Sequence, residues 1–107
     1  NNIDELELAF KHKMAAETKL ADLLRAVCEK FEISEEHLCG ASQELGVVRA
    51  RAVLTLIATR CKLTSLSALA MRLSRDHSSL SRLRQKAEND KILIQAGKEI
   101  IDSIIAL

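Results

Sequence analysis

The stretch from Leu66 to Glu88, LSALAMRLSRDHSSLSRLRQKAE, decides the fold. It contains two apolar repeats with a polar break between them. In the first, Leu66, Leu69, Ala70 and Leu73 recur at steps of one, three and four residues. In the second, Leu80, Leu83 and Ala87 do the same. Such steps stack side chains on one face of an α-helix. Thr64 or Ser65 is placed to cap the first helix, and Ser74, Arg75 and Asp76 make a tight turn into the second. Opposite its apolar side the second helix carries Ser78, Ser81, Arg82 and Gln85. Two short helices joined by a polar turn, the second with a small, polar and basic outer face, form the pattern of a helix-turn-helix.

The charge around this stretch is strongly segregated. From Arg49 to Lys86 there are nine Lys or Arg and one acid, Asp76, a local net charge of +8. Residues 1–48 sum to −5 and residues 87–107 to −2, so the overall +1 conceals the separation. Ordinary surfaces mix signs, and a long acid-poor run in a small domain points to a polyanionic partner.

Outward from the helix-turn-helix the chain reads as helical throughout. Val47, Ala50, Val53, Leu54, Ile57 and Cys61 gather on one side of a helix from about Glu44 to Cys61, which reads as a core helix. Arg51, Thr55, Thr59 and Lys62 gather on its other side, as a basic outer edge. Ser34 begins a short helix ending near Leu38, with Glu35 and Glu36 in its first turn. Gly40, Ala41 and Ser42 then make a loop. From Ile3 to Phe31 an apolar stripe runs through Leu6, Phe10, Met14, Ala21, Leu24 and Cys28, in one long helix or two broken near Thr18. Asn89 and Asp90 end the helix from His77 and cap a last one. Its face of Leu93, Ala96, Gly97, Ile100, Ile101 and Ile104 requires burial, in this domain or against a second copy. The expected architecture is all-α with about six helices. It divides into a helical extension over 1–22, a DNA-binding unit over 23–90 and an amphipathic helix over 91–107.

Composition removes several function classes. The only aromatic residues are Phe10 and Phe31, which argues against the stacking platforms of single-strand binders. No apolar run is long enough to span a membrane. Cys28, Cys39 and Cys61 lack paired metal spacing and read as core thiols of a reducing compartment, so neither a metal nor a cofactor is expected. Asp76, His77 and Ser78 diverge by about 100° each on a helix, which rules them out as a catalytic triad. No phosphate loop or paired catalytic carboxylates occur, so neither enzyme activity nor a small-molecule substrate is expected. The chain lacks an initiating Met and a signal-peptide pattern, and is read as a piece of a longer protein located with the cytoplasmic nucleoid.

The candidate contacts follow from position. Asp76, His77 and Ser78 lie at the start of the helix, the end such helices present to base edges. There Asp accepts from a cytosine amino group, His donates to a purine acceptor and Ser bonds either way. Arg82, one turn on, reaches a guanine or a phosphate. Arg51 shares a face with Thr55 and Lys62 and is expected to clamp a phosphate. Arg49, Lys62 and Arg75 join it as phosphate contacts.

From Val27 to Gln85 the chain resembles the C-terminal DNA-binding domain of the bacterial replication initiator DnaA. The pieces that carry the likeness are a short helix ending at Leu38 before a loop, VVRARAVLTL from Val47, SLSALA from Ser65 and RDHSSL from Arg75. A related domain ends many REP-associated tyrosine transposases, and Ser81-Arg82 is similar to their variant. The resemblance implies a Trp-repressor-like helical fold, base reading by Asp76, His77 and Ser78, and phosphate contacts from Ser79 and Arg51. In that family the loop before the R-x-R helix is rich in Arg and sends one into the minor groove. Here it reads Ala41-Ser42-Gln43-Glu44-Leu45, leaving Gln43 as a weak loop contact. The family's turn usually has Gly where this chain has Ser74.

The leading expectation is sequence-specific double-stranded DNA binding by a module of a larger transposase-like or initiator-like protein. The rival is a protein-interaction module, a homodimer through the terminal amphipathic helices, with a vestigial helix-turn-helix.

Overall fold

The computed structural model describes residues 16–105, with the side chains of 20–104. Among these residues the fold is all-α, built from six helices: α1 (Ala16–Phe31), α2 (Glu35–Cys39), α3 (Leu45–Arg60), α4 (Leu66–Arg72), α5 (His77–Glu88) and α6 (Lys91–Ile105). The part of the N-terminal stripe carried by Ile3, Leu6, Phe10 and Met14 lies outside the described residues.

α3 is the axis of the domain. Every residue from Ala50 to Ala58 is buried, and α1, α5 and α6 all pack against it. A helix that is apolar nearly all round finds its stable place in the middle of a core. The basic outer edge expected on α3 is therefore corrected: Arg51 and Thr55 are 2% and 0% exposed. Thr55 avoids an unmet hydroxyl by donating to the Arg51 carbonyl at 2.7 Å, one turn back. Thr59 repeats the bond to the Thr55 carbonyl at 2.8 Å.

The apolar face of α6 closes the same core. Leu93, Ile94, Ile100, Ile101 and Ile104 are buried, and α6 packs on α1, α3 and α5. Of the two burial sites open to this face, its own domain is the one observed. Asp90 caps the helix, its Oδ1 accepting from the amides of Ile92 (2.9 Å) and Leu93 (3.3 Å).

Local chemistry sets the shorter helices. Ser34 accepts from the His37 amide at 3.1 Å and Ser65 from the Ala68 amide at 3.1 Å, so each helix start has its side-chain acceptor. Of the two residues expected to cap α4, Ser65 does so. Three helices end alike. Glu32, Lys62 and Ser74 follow α1, α3 and α4 with φ of 54°, 58° and 55°. In each case the next amide reaches back to a carbonyl five residues earlier: Ile33 to Cys28 at 3.0 Å, Leu63 to Ala58 at 2.9 Å and Arg75 to Ala70 at 2.9 Å. These are Schellman closures, made here without glycine. In the first two the residue supplying that amide is apolar and packs on the core; in the third it is Arg75.

Candidate nucleic-acid interface

The pair α4 and α5, joined by a short turn, is held to α3. α5 packs along α3 through Leu80 and Ala87, both fully buried, with half-buried Leu83 beside them. α4 inserts Leu69 and Ala70, and Leu73 is buried directly after its last turn. The four-residue link Leu73–Asp76 turns the chain, and α5 begins at His77. This anchoring leaves Asp76, His77 and Ser78 exposed together at the helix start, with Arg82 exposed one turn further on.

Asp76 occupies the N-cap position in extended conformation (φ −82°, ψ 156°), but its side chain caps no helix amide. It accepts instead from the hydroxyl of Ser79. That hydrogen bond holds the Asp76 carboxyl below the ordinary carboxylate value, and the charge of Arg82 adds a smaller push in the same direction. Asp76 is thus an exposed, ionised acceptor at the start of the helix. The hydroxyl proton of Ser79 is committed to it, which leaves the Ser79 oxygen as an acceptor toward other groups.

Beside this helix start lies an open hollow of about 240 Å³. Its wall is formed by Gln43, Arg51, Arg75, Ser79 and Arg82, over an apolar floor of Val48 and Leu83. The hollow therefore gathers five of the ten residues singled out from the sequence, from the loop before α3, from α3, from the turn and from α5. Asp76, His77 and Ser78 flank it. Arg49 and Lys62 are exposed elsewhere on the surface. Lys62 lies beyond the far end of α3, about 16 Å along the helix from Arg51.

Arg51 lines the hollow from within the protein, not from an outer face. Its Nε donates to the Leu38 carbonyl at 2.8 Å and its Nη1 to Ser42 at 2.7 Å. Nη2 donates to His37 at 3.1 Å and to Gly40 at 2.7 Å. Four of its five N–H groups are thereby taken by backbone carbonyls. The expectation of a surface phosphate clamp at Arg51 is corrected on this geometry. His37 and Leu38 belong to the last turn of α2, where carbonyls run short of helical partners; the Gly40 amide already reaches the His37 carbonyl at 3.3 Å, and the guanidinium adds donors to both from outside. Burial pushes the Arg51 guanidinium below its ordinary value, and the neighbouring Arg75 charge pushes it the same way.

Arg75 also donates through Nη2 to the Gly40 carbonyl. Two guanidinium groups thus meet on one carbonyl oxygen. Glycine is needed there for space: a Cβ at position 40 would stand 2.9 Å from the Glu36 carbonyl oxygen. Among the described residues no carboxylate forms an ion pair with Arg51, Arg75 or Arg82, whereas Arg25, Lys30 and Arg84 do have acidic partners. Three like charges around an open hollow, set against the single carboxylate of Asp76 near Arg82, leave an excess of positive charge that attracts anions.

Compared with protein-family models, curated proteins and solved structures, the chain matches none. The chemistry of the surface therefore carries the functional reading. Among the described residues no group of three or more His, Cys, Asp or Glu is placed to hold a metal ion. Likewise no described helix is long and apolar enough to cross a membrane. Cys28 and Cys61 are buried free thiols, and burial raises the Cys28 pKa.

The sequence pattern did not expose the Gly40 carbonyl as the meeting point of two arginines. Nor did it mark Val48 and Leu83 as the floor of the hollow. The available signal for Arg51 was the lack of any wide polar face on α3.

Proposed function

We propose that this domain binds double-stranded DNA. α5 enters the major groove by its N-terminal end, presenting Asp76, His77 and Ser78 to base edges. A backbone phosphate sits against the adjoining hollow, held by Arg75 and Arg82. The observation that carries the reading is the meeting of unpaired arginines with the exposed start of a helix-turn-helix, inside the one segment of the chain that carries a charge of +8. In this reading the module delivers a larger bacterial protein, transposase-like or initiator-like, to its site on the nucleoid. The resemblance of RDHSSL and VVRARAVLTL to the DnaA C-terminal domain supports it. The loop 41–45 contains no basic residue, so recognition here rests on the major groove.

The rival reading, self-association through terminal helices, loses one support, because the Ile-rich face of α6 is spent on the domain's own core. The test is titration of a labelled pool of random duplexes at about 50 mM and about 200 mM salt. Binding that weakens steeply with salt is expected. No binding at the lower salt would overturn the proposal, and a concentration-dependent dimer in the same sample would favour the rival.

A further inference from the structure

Arg51 is among the largest fully buried side chains, and among the described residues that are buried it is the only one with a charge. A charge removed from water needs compensation, and here it comes from carbonyl dipoles instead of a carboxylate. The four acceptors lie at positions 37, 38, 40 and 42, so a single guanidinium gathers the end of α2 and the loop after it. That loop carries Gln43 into the wall of the hollow. Its Gly40 carbonyl also receives Arg75, the residue immediately before Asp76 and the start of α5. Arg51 and the exposed recognition surface are therefore joined through one oxygen atom. An arginine is suited to this because its planar fork donates in several fixed directions at once, which an ammonium does not.

We infer that Arg51 is a positioning residue of the DNA interface: it fastens the loop 40–44 to the start of α5 through the Gly40 carbonyl it shares with Arg75, and does not itself hold a phosphate. The inference rests on the DNA-binding reading above. Arg51 fixes the Gly40 oxygen, that oxygen fixes Arg75, and the hollow keeps its shape in the absence of DNA. Preorganisation of this kind lowers the ordering cost of binding.

The test compares Arg51→Gln, Gly40→Ala and Arg82→Ala in the 107-residue domain, with duplex affinity measured across salt concentration and amide hydrogen exchange measured without DNA. Each contact to a phosphate contributes about one unit to the slope of log affinity against log salt. Arg82→Ala is expected to lower that slope by about one unit. Arg51→Gln is expected to speed exchange at the Gly40 and Glu44 amides and to reduce affinity at least tenfold, with the slope unchanged. Gly40→Ala keeps every charge but displaces the shared carbonyl, so it should reproduce the loss and the unchanged slope. Gly40→Ala decides the matter alone if Arg51→Gln fails to fold.

A slope lowered by about one in Arg51→Gln, with exchange unaltered, would make Arg51 a direct phosphate ligand and overturn the inference. Unchanged affinity in Gly40→Ala, despite faster exchange, would also overturn it. Failure of the unmodified domain to bind any duplex sinks the DNA-binding reading itself, and is recognised before any variant is compared.

Discussion

The hydroxyl of Ser79 donates to the carboxylate of Asp76 across the first turn of α5, so the residue at the N-cap position of that helix is itself held by its third neighbour. This bond lowers the Asp76 pKa in the folded state. A carboxyl whose folded pKa is depressed stabilises the fold above its unfolded value, and the contribution disappears as pH falls through the folded value. The window therefore lies below about pH 4. Ser79→Ala should raise the Asp76 pKa toward the ordinary carboxylate range, read by carbon-detected NMR titration of the side-chain carboxyl. An unmoved Asp76 titration in Ser79→Ala would show that the hydroxyl is not its cause.

Ser74 holds a left-handed conformation at the end of α4, in the position where helices most often place glycine. A Cβ in that region carries a steric cost of about 1 kcal/mol or somewhat more. Ser74→Gly is expected to stabilise the domain by roughly 0.5–1 kcal/mol after the entropy lost by glycine is counted. That corresponds to a Tm rise of a few degrees, on the order of 4–8 °C per kcal/mol for a domain of this size. Ser74→Ala keeps the Cβ and should give no such gain. Thermal melts of the two variants side by side distinguish relief of backbone strain from loss of the hydroxyl.

Much of the architecture could be read from side-chain spacing. The repeats of Leu69, Leu73, Leu80 and Ala87, and the caps at Ser34, Ser65 and Asp90, depend on residues within a turn of one another. Arg51 shows where such reading ends. Periodicity assigns Arg51 and Thr55 to one face of α3 but does not say whether that face meets solvent or another part of the chain. The acceptors that decide it are main-chain oxygens at 37, 38, 40 and 42, which no side-chain pattern reports. The hollow was half legible for the same reason. Arg75, Ser79 and Arg82 are near neighbours in sequence, whereas Gln43 and the Gly40 carbonyl arrive from a loop more than thirty residues earlier.

Leu80 is the fully buried anchor that sets α5 on the core. Leu80→Ala removes several methylene-sized groups from a packed site and leaves a cavity, at a cost of about 2–5 kcal/mol. Denaturant titration should show the midpoint falling with little change in the slope m. A loss well under 1 kcal/mol would mean that α5 is held mainly by Ala87 and by its connection to α6.

His77 and Arg82 lie on the same helix and make different demands of DNA. His77 is exposed in the first turn and Arg82 lines the hollow; in the proposed complex the first would meet a base edge and the second a phosphate. A base contact discriminates by about 1–3 kcal/mol at one position, while a phosphate contact weakens all sequences about equally when lost. Selection from random duplexes followed by sequencing should therefore give His77→Ala a motif with one relaxed position. Arg82→Ala should keep the motif with uniformly lower recovery. Lys62→Ala, altered at a site remote from the hollow, should change recovery least. If His77→Ala and Arg82→Ala instead lost recovery alike with the motif intact, α5 would be gripping the backbone and its N-terminal residues would not be reading bases.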